Sequence, residues 1–252
     1  MVHLTLVNRG RFMTDTDPRR MDGSHSVAID SGMSKTLHHG LAVLELLAEH
    51  PNGLSITEIA DGIGVHRTVA HRLVRTLEAH HLCRRDDFKR ISLGAGLVAL
   101  AEPVEQDLRT VARPVLEELA DQLGATVHLV VRENSTEVRA LMVVEPRGAK
   151  VHVAFRGGQV DPIDRGSAGL AMLASLPPAD GERAEVTRAR SVGYAVTHGE
   201  VIPSVGGVSA VVPGRRGDAM ASLGASVFEI DDEEELGAAV VAAAARLGRL
   251  LR

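Results

Sequence analysis

The chain has 252 residues, of which 44% are hydrophobic and 24% charged, a composition typical of a globular protein with room for two domains. A single cysteine excludes an intrachain disulfide and a cysteine-cluster metal site. No apolar run reaches the roughly 18 residues of a membrane-spanning helix, and the N-terminus lacks a secretory-signal pattern. We therefore expect a cytoplasmic protein with no membrane partner.

The net charge of −5 argues against nucleic-acid binding by the chain as a whole, but the charge is unevenly distributed. Residues 34–93 carry eight Lys or Arg against seven Asp or Glu, whereas residues 94–252 carry sixteen against twenty-two. Seven of the eight basic residues lie between Arg67 and Arg90, and four of the seven acids precede them. A local basic face is therefore predicted within an acidic protein.

The N-terminal part begins with a segment of low periodicity and continues into helices. Residues 1–33 are polar and unpatterned, which predicts a disordered tail. Leucines at helical spacing predict a helix over 36–49, which Pro-Asn-Gly at 51–53 ends. Ser55-x-x-Glu58 is a capping box that predicts the start of a second helix.

A third helix and a hairpin follow. Apolar residues recurring every four positions predict a helix over about 66–80 with this stripe buried. Strand-like segments at 82–85 and 90–93 predict a small basic hairpin. Helix, helix, turn, helix and hairpin is the order of a winged helix-turn-helix. The apolar stripe consists of Val65, Val69, Leu73 and Leu77.

The opposite side of the third helix predicts DNA recognition. It carries Arg, Thr and His and has no acid before Glu78, which suits the major groove. Arg67 and Thr68, at the N-terminal end, are expected to reach base edges, and the other cations to reach phosphates. The alternative is a solvated amphipathic helix. The predicted contacts with double-stranded DNA are Ser55, Arg67, Thr68, His71, Arg72, Arg75, Arg84, Arg85, Lys89 and Arg90.

The remainder of the chain predicts a connector and a second domain. Residues 95–102 and 104–123 are expected to be helical and to mediate dimerisation. Alternating strands and helices then predict a mostly antiparallel α/β or α+β domain able to enclose a pocket. Strands are expected at 126–132, 137–145, 150–155, 194–197, 207–212 and 222–228, and helices at 166–176, 180–192 and 232–251.

Several stretches carry a family resemblance. LSITEIADGIGVHRTVAHRLVRTLEAHHLCRRDD, followed by ISLG, resembles the winged-helix domain of the IclR family of bacterial transcription factors. LRTVARPVLEELADQLGATVHLVV is similar to its linker helix, and RGSAGLAMLASLPP and GYAVTHGEVIPSVGGVSAVVP to its effector domain. The resemblance implies an α+β protein, an N-terminal winged helix-turn-helix plus a C-terminal GAF-like α/β effector-binding domain. The implied parts are a tail (1–33), a DNA-binding domain (34–94), a linker and dimerisation helix (95–123) and an effector domain (124–252).

The resemblance further implies transcription controlled by a small molecule, with a homodimer or homotetramer on a pseudo-palindromic operator. Independently, Arg165 and Ser167 precede an apolar helix, whose N-terminal amides and dipole can hold a carboxylate ligand. The alternative is that Ser167 only caps this helix. The effector-contacting positions that the family pattern implies are Ser167, Ala168, Thr197, Gly207, Gly224 and Ser226.

Motifs for other chemistry are weak, and no cofactor, metal or enzymatic activity is predicted. The G-x-G-x-x-A pattern from Gly94 to Ala99 lacks the acid at a strand end that a dinucleotide site needs. His80, His81 and Cys83 lack a fourth metal ligand. No G-x-S-x-G or H-E-x-x-H motif is present. Two rivals stay open: an enzyme with a catalytic C-terminal domain, and an interaction module whose winged helix binds protein.

Overall fold

The structure, a computed structural model, describes residues 30–148, 153, 155, 157–214 and 219–251. It divides into two compact units, and the chain passes from one to the other between Val104 and Glu105. Residues 1–29 of the predicted tail lie outside the described residues, as does most of the predicted strand 150–155. The N-terminal unit contains α1 (Lys35–Glu49), α2 (Ile56–Gly62), α3 (Arg67–Ala79), β1 (Cys83–Arg85), β2 (Ile91–Leu93) and α4 (Gly96–Ala101).

The N-terminal unit is a winged helix-turn-helix. The predicted capping box starts α2: the Ser55 hydroxyl accepts from the Glu58 N–H at 3.2 Å, and the Glu58 carboxylate accepts from the Ser55 N–H at 2.6 Å. Strands β1 and β2 pair antiparallel as the wing. A bridge between Leu54 and Ile91 joins the wing to the segment before α2. The three helices and the wing share one core, which includes Val43, Leu47, Ile59, Ala70, Leu73, Val74, Leu77, Cys83 and Ile91.

The buried side of α3 differs from the predicted stripe. Leu73 and Leu77 are buried as expected, but Val69 is 40% exposed, and Ala70 and Val74 take its place in the core. The reason is geometric: each four-residue step overshoots a full helical turn by about 40°, so a strict period of four drifts off the buried side. Val69 therefore lies at the edge of the exposed surface.

The C-terminal unit is built on a six-stranded antiparallel sheet with strand order β5-β4-β3-β8-β7-β6. Helices α5 and α8 pack on one face of the sheet, and α6 and α7 lie on the other. This agrees with the predicted antiparallel α+β architecture. The elements are α5 (Gln106–Leu123), β3 (Thr126–Arg132), β4 (Glu137–Val144), β5 (Val160–Pro162), α6 (Gly166–Ala174), α7 (Ala184–Val192), β6 (Ala195–His198), β7 (Gly206–Pro213), β8 (Ala219–Val227) and α8 (Glu233–Leu250).

A β-bulge lets β4 contribute to both faces of the sheet. The register between β3 and β4 shifts between Leu129 and Val130. Before the shift along β4, Val138 and Ala140 pack in the cluster that contains Met172 of α6. After it, Met142 and Val144 belong to the core shared by α5 and α8. An extra residue in one strand reverses which side chains face each side.

Three further expectations need correction. The short strand β5 was not predicted, and the described residues Val153 and Phe155 of the expected strand 150–155 are not in a strand. Helix α7 begins at Ala184, whereas the predicted helix begins at residue 180, within the segment 178–183 that precedes α7.

In the part of the chain that the structure describes, no helix combines the length and the apolar character needed to cross a bilayer.

Candidate functional site

One side of α3 is a basic surface open to solvent. The side chains at Arg67, Thr68, His71, Arg72 and Arg75 are all exposed. The three arginines make no ion pair with any acid among the described residues. The guanidinium groups are therefore available to an external anion. We call these five residues the α3 surface.

The wing adds further cations and an aromatic side chain. Arg84 and Lys89 are exposed and, within the described ranges, form no ion pair. Lys89 adopts a left-handed backbone (φ 62°) in the tight turn from Asp86 to Arg90. Phe88 at this turn is 87% exposed, the largest exposed fraction among the large hydrophobic residues that the structure describes. Phe88 was not among the contact residues predicted from the sequence, although it is a lone aromatic residue in a polar turn.

Two of the predicted phosphate-contacting arginines are engaged within the fold. Arg85 Nε donates to Glu78 Oε1 at 3.0 Å, which ties the wing to the end of α3. Arg90 Nε donates to the backbone carbonyls of Asn52 and Gly53 at 3.2 and 3.1 Å. Arg90 is also only partly exposed. Neither therefore offers a free guanidinium, and Arg90 fixes the wing against the turn after α1. The phosphate contacts predicted for these two arginines stay predictions.

The discounted motifs have structural explanations. A Cβ atom at Gly94 or Gly96 would lie 2.2 or 2.7 Å from the carbonyl oxygen of His81, so both glycines permit a close backbone approach where the wing ends. Cys83 is a buried residue of the core of the N-terminal unit, and burial raises the pKa of its thiol to about 11. Among the described residues, no three His, Cys, Asp or Glu side chains group in a way that would hold a metal ion.

The C-terminal unit encloses a cavity between the sheet and the N-terminal end of α6. Its empty space, including the part open to solvent, is about 510 Å³. The loop between β6 and β7 closes one side with Val201, Ile202 and Val205. Other described residues lining the cavity are His128, Val130, Val138, Phe155, Asp161, Arg165, Gly166, Ser167, Ala168, Gly169, Thr197, Glu200, Gly207 and Ser226.

The sheet presents two rows of small and polar residues to the cavity region. In the first row, Thr197, Gly207 and Ser226 lie side by side on β6, β7 and β8. In the second, Ser209, Gly224 and His128 lie side by side on β7, β8 and β3. The predicted residues Thr197, Gly207 and Ser226 thus line the cavity. Gly224 is not among the described lining residues and lies between Ser209 and His128.

A carboxylate of the protein already occupies the N-terminal end of α6. Glu200 Oε2 accepts from the Gly166 N–H at 2.9 Å, and Arg183 binds the same carboxylate through two nitrogens at 3.1 and 2.6 Å. Arg183 lowers the pKa of Glu200 most; partial burial opposes this, and the Gly166 N–H lowers the pKa further. The Gly166 N–H is therefore engaged within the protein, while ligand contact at this helix end stays a prediction.

Ser167 does not cap α6, whereas its predicted contact with a ligand stays a prediction that its place in the cavity lining supports. Arg165 is the N-cap of α6 and makes no side-chain cap, and Ser167 lies one residue inside the helix. The Ser167 hydroxyl is buried and hydrogen-bonds the Ser209 hydroxyl at 2.8 Å. It therefore joins α6 to β7, at the edge of the cavity, instead of capping the helix. Arg165 is exposed, and its Nε donates to the backbone carbonyl of Glu200.

His128 is a buried, neutral residue of the cavity that sequence analysis missed. Burial lowers the pKa of its imidazole to about 4. Its ring stacks on Phe155 with centroids 5.3 Å apart, and its Nδ1 has no hydrogen-bond partner among the described residues. It was missed because a histidine within the run TVHLVVR reads as one position of a buried strand. Phe155, Asp161 and Glu200 were missed likewise, since Phe155 and Glu200 reach the cavity from loops and Asp161 reaches it from the unpredicted strand β5.

Two family models match this chain. The IclR helix-turn-helix domain matches residues 36–87, and the C-terminal domain of bacterial transcriptional regulators of the IclR type matches residues 102–188. Together the two models match more than half of the 252 residues.

Curated relatives agree with these matches. The transcriptional regulator KipR of Bacillus subtilis is 27% identical over 57% of this chain and 57% of its own length. The transcriptional repressor IclR of Escherichia coli is 27% identical over 58% of this chain and 54% of its own length. The chain thus spans somewhat more than half the length of the curated relatives it matches.

Solved structures share the fold over most of the chain. An IclR transcriptional regulator from Alicyclobacillus acidocaldarius has a TM-score of 0.73 at 25% identity, covering 87% of this chain and all of its own. An IclR homologue from Microbacterium hydrocarbonoxydans, solved with 4-hydroxybenzoate, has a TM-score of 0.75 at 21% identity, covering 86% and 99%. The second likeness is a likeness of fold alone.

Proposed function

We propose that this chain, which belongs to the IclR family of transcriptional regulators, binds a specific DNA operator through α3 and the wing. We also propose that a small molecule in the C-terminal cavity controls this binding. The members of this family are transcriptional regulators, which is consistent with the prediction that this chain is not an enzyme. Binding to cellular DNA would also place the protein in the cytoplasm.

The observation that carries the DNA-binding proposal is the α3 surface. Five exposed polar side chains, three of them arginines without an acidic partner among the described residues, follow one another on the side of a helix that faces away from its core. Side chains of this type hydrogen-bond base edges in the major groove, and arginine does so with two parallel donors. We assign base contacts to Arg67 and Thr68, at the helix N-terminus, and phosphate contacts to Arg72 and Arg75.

The wing contributes contacts beside the helix. Arg84 and Lys89 have the exposure and free charge expected of phosphate ligands. The exposed Phe88 suits contact with sugar or base edges in a neighbouring groove, where apolar side chains act as wedges. For Ser55, whose hydroxyl caps α2, we propose a secondary phosphate contact; Arg85 and Arg90 act mainly by holding the wing in place.

We further propose that the functional unit is a homodimer, or a pair of dimers, on an operator with two half-sites. Val98 and Leu100 of α4, and Val104 just beyond it, are 70%, 63% and 52% exposed. Three large aliphatic side chains exposed within seven residues favour burial against a second copy of the chain. Two-fold pairing would present two α3 helices to successive major grooves, which is why such operators are pseudo-palindromic.

The cavity supports the regulatory half of the proposal. It is walled by apolar side chains and contains a few convergent polar groups, the usual composition of a small-molecule site. The relative solved with 4-hydroxybenzoate shows that one protein of this fold holds an organic ligand. A ligand changes operator affinity only if it binds one DNA-binding arrangement of the protein more tightly than another.

The proposal is tested by DNA binding of the full chain to fragments upstream of its own and flanking genes. We expect one fragment to be bound in preference to scrambled DNA of equal length, with an affinity that falls steeply as salt rises. Absence of binding to every fragment at low salt would instead favour the rival in which the winged helix binds protein. Turnover of a bound metabolite would favour the enzyme rival.

A further inference from the structure

The arrangement around Glu200 bears on which compounds the cavity accepts. Glu200 lines the cavity, and its carboxylate accepts a hydrogen bond from the Gly166 N–H at the start of α6. Asp161 lines the cavity as well. The cavity is therefore bordered by two acids, and the helix end that commonly attracts an anion is already in contact with one of them.

Among the residues that the structure describes, few cations that would offset a ligand carboxylate lie around the cavity. Arg183 binds the two oxygens of Glu200 and also pairs with Glu185 at 3.2 Å. Arg165 is the one Lys or Arg among the described residues that line the cavity, and it is exposed at the rim. Moving an ionised carboxylate into such a space is strongly unfavourable unless a cation or several donors compensate it.

The floor of the cavity offers uncharged hydrogen-bonding groups instead. Thr197 and Ser226 are buried and flank Gly207 in one row of the sheet, and their hydroxyls make no hydrogen bond to other described residues. A Cβ at Gly207 would lie 2.7 Å from the Ser167 hydroxyl, so glycine leaves room there. His128, neutral at physiological pH, completes this polar floor beside the ring of Phe155.

We propose that the effector is an uncharged small molecule with an apolar, ring-like body and at least one hydroxyl group, and that Glu200 excludes carboxylates from the site. The inference rests on the proposed function, because it names the class of compound that the regulatory cavity binds. The apolar body lies among Val130, Val138 and Ile202, and the hydroxyl exchanges hydrogen bonds with both Thr197 and Ser226. Glu200 acts as a specificity residue through its charge.

The test uses two probes that share a phenol ring and differ in one group. 4-Hydroxybenzyl alcohol is uncharged at pH 7.5, whereas 4-hydroxybenzoate carries a carboxylate. Isothermal titration of the full chain is expected to give a Kd for the alcohol at least about tenfold below that for the acid. In Glu200→Gln, which keeps a hydrogen-bond acceptor for Gly166 but removes the charge, the gap is expected to shrink to about threefold or less.

Control variants separate charge at the cavity from charge nearby. Glu185→Gln removes another acid paired with Arg183 that does not line the cavity, and it is expected to preserve the tenfold preference. Thr197→Val is expected to weaken binding of the alcohol by about fivefold, the effect of one lost hydrogen bond. Melting curves of each variant check that it is folded.

The outcomes distinguish this inference from the proposed function. Binding of the acid as tightly as the alcohol by the wild-type chain would overturn the ligand class, and so would binding of neither probe at millimolar concentration. An unchanged preference in Glu200→Gln would overturn the role of Glu200. Operator binding, measured separately without any probe, fails only if the proposed DNA-binding function is wrong.

Discussion

Ser209 and His128 approach each other across Gly224, with 3.5 Å between the serine Oγ and the imidazole Nε2. The approach is possible because the middle position of the three strands has no side chain. A Cβ at Gly224 would lie 2.1 Å from Ser209 Oγ and 2.7 Å from His128 Nε2. The glycine thus shapes the sheet beneath the cavity.

Gly224→Ala is accordingly expected to destabilise the protein by about 1–3 kcal/mol, because the added methyl overpacks a buried site. The backbone carbonyl oxygen of Val208 would lie 2.8 Å from the methyl and cannot rotate away as a side chain can. Urea unfolding monitored by circular dichroism measures the change. Gly148→Ala serves as the matched control, since nothing lies within 4 Å of its added methyl. Equal stabilities of the two variants would contradict the packing described for the second row of the sheet.

Burial of His128 predicts a pH-dependent stability. The folded chain holds the pKa near 4, below the ordinary 6.5, so the unfolded chain takes up a proton first as pH falls. The neutral imidazole makes its full contribution to the free energy of unfolding above pH 6.5. This contribution is lost as the pH falls from 6.5 to 4, by about 1.4 kcal/mol per pH unit at most.

Unfolding free energies at pH 7 and pH 5 measure this effect. His128→Gln is expected to flatten the dependence in that interval, whereas His198→Gln, at an exposed position, is expected to leave it intact. If the free energy of unfolding changed equally with pH in wild type and in His128→Gln, a group other than His128 would cause the pH dependence.

Arg90 and Lys89 are neighbours with different expected roles. Arg90→Ala removes hydrogen bonds to the carbonyls of Asn52 and Gly53, and it is expected to lower stability by about 1–2 kcal/mol as well as to weaken DNA binding. Lys89→Ala is expected to weaken binding on all sequences and to reduce its salt slope by about one, without a change in stability. Chemical denaturation and DNA titrations across salt concentrations check both, and a fully stable Arg90→Ala protein would contradict the structural role.

The proposed dimer predicts the effect of a charge on α4. Leu100→Glu places a carboxylate on a side chain that is 63% exposed in the single chain, and we expect it to convert dimers to monomers and to weaken operator binding at least tenfold. Sedimentation equilibrium measures the mass. Val192→Glu, at a position 43% exposed on α7, is the control and should not alter assembly. A dimeric Leu100→Glu protein would place the interface elsewhere.

Local patterns predicted the elements because short-range physics determines them. The Ser55–Glu58 capping box, the order of helices and wing, and most strand positions follow from spacing and turn residues alone. The misplaced stripe on α3 shows the limit of this method, since Val69 fits a period of four but not the true helical period of 3.6. The three-residue strand β5 is too short to carry a period-two signal.

The cavity could be predicted only in part because its chemistry depends on distant contacts. The Glu200 carboxylate meets the Gly166 amide across 34 positions of the chain, and Ser209 meets His128 across 81. No periodicity encodes such pairs. The hydrogen bonds of Arg90 could likewise not be predicted from the sequence, because its carbonyl partners lie 37 and 38 positions away.

The central claim, that the α3 surface reads DNA sequence, is tested most directly by titrating wild type, Arg67→Ala and Arg249→Ala against the operator and a scrambled duplex. Arg249 is exposed at the last turn of α8 and controls for the loss of one positive charge. We expect Arg67→Ala to lose about 1–3 kcal/mol on the operator and clearly less on the scrambled duplex, while Arg249→Ala binds as wild type does. Equal losses on both duplexes, or no loss at all, would contradict the assignment of Arg67 as a base-reading residue.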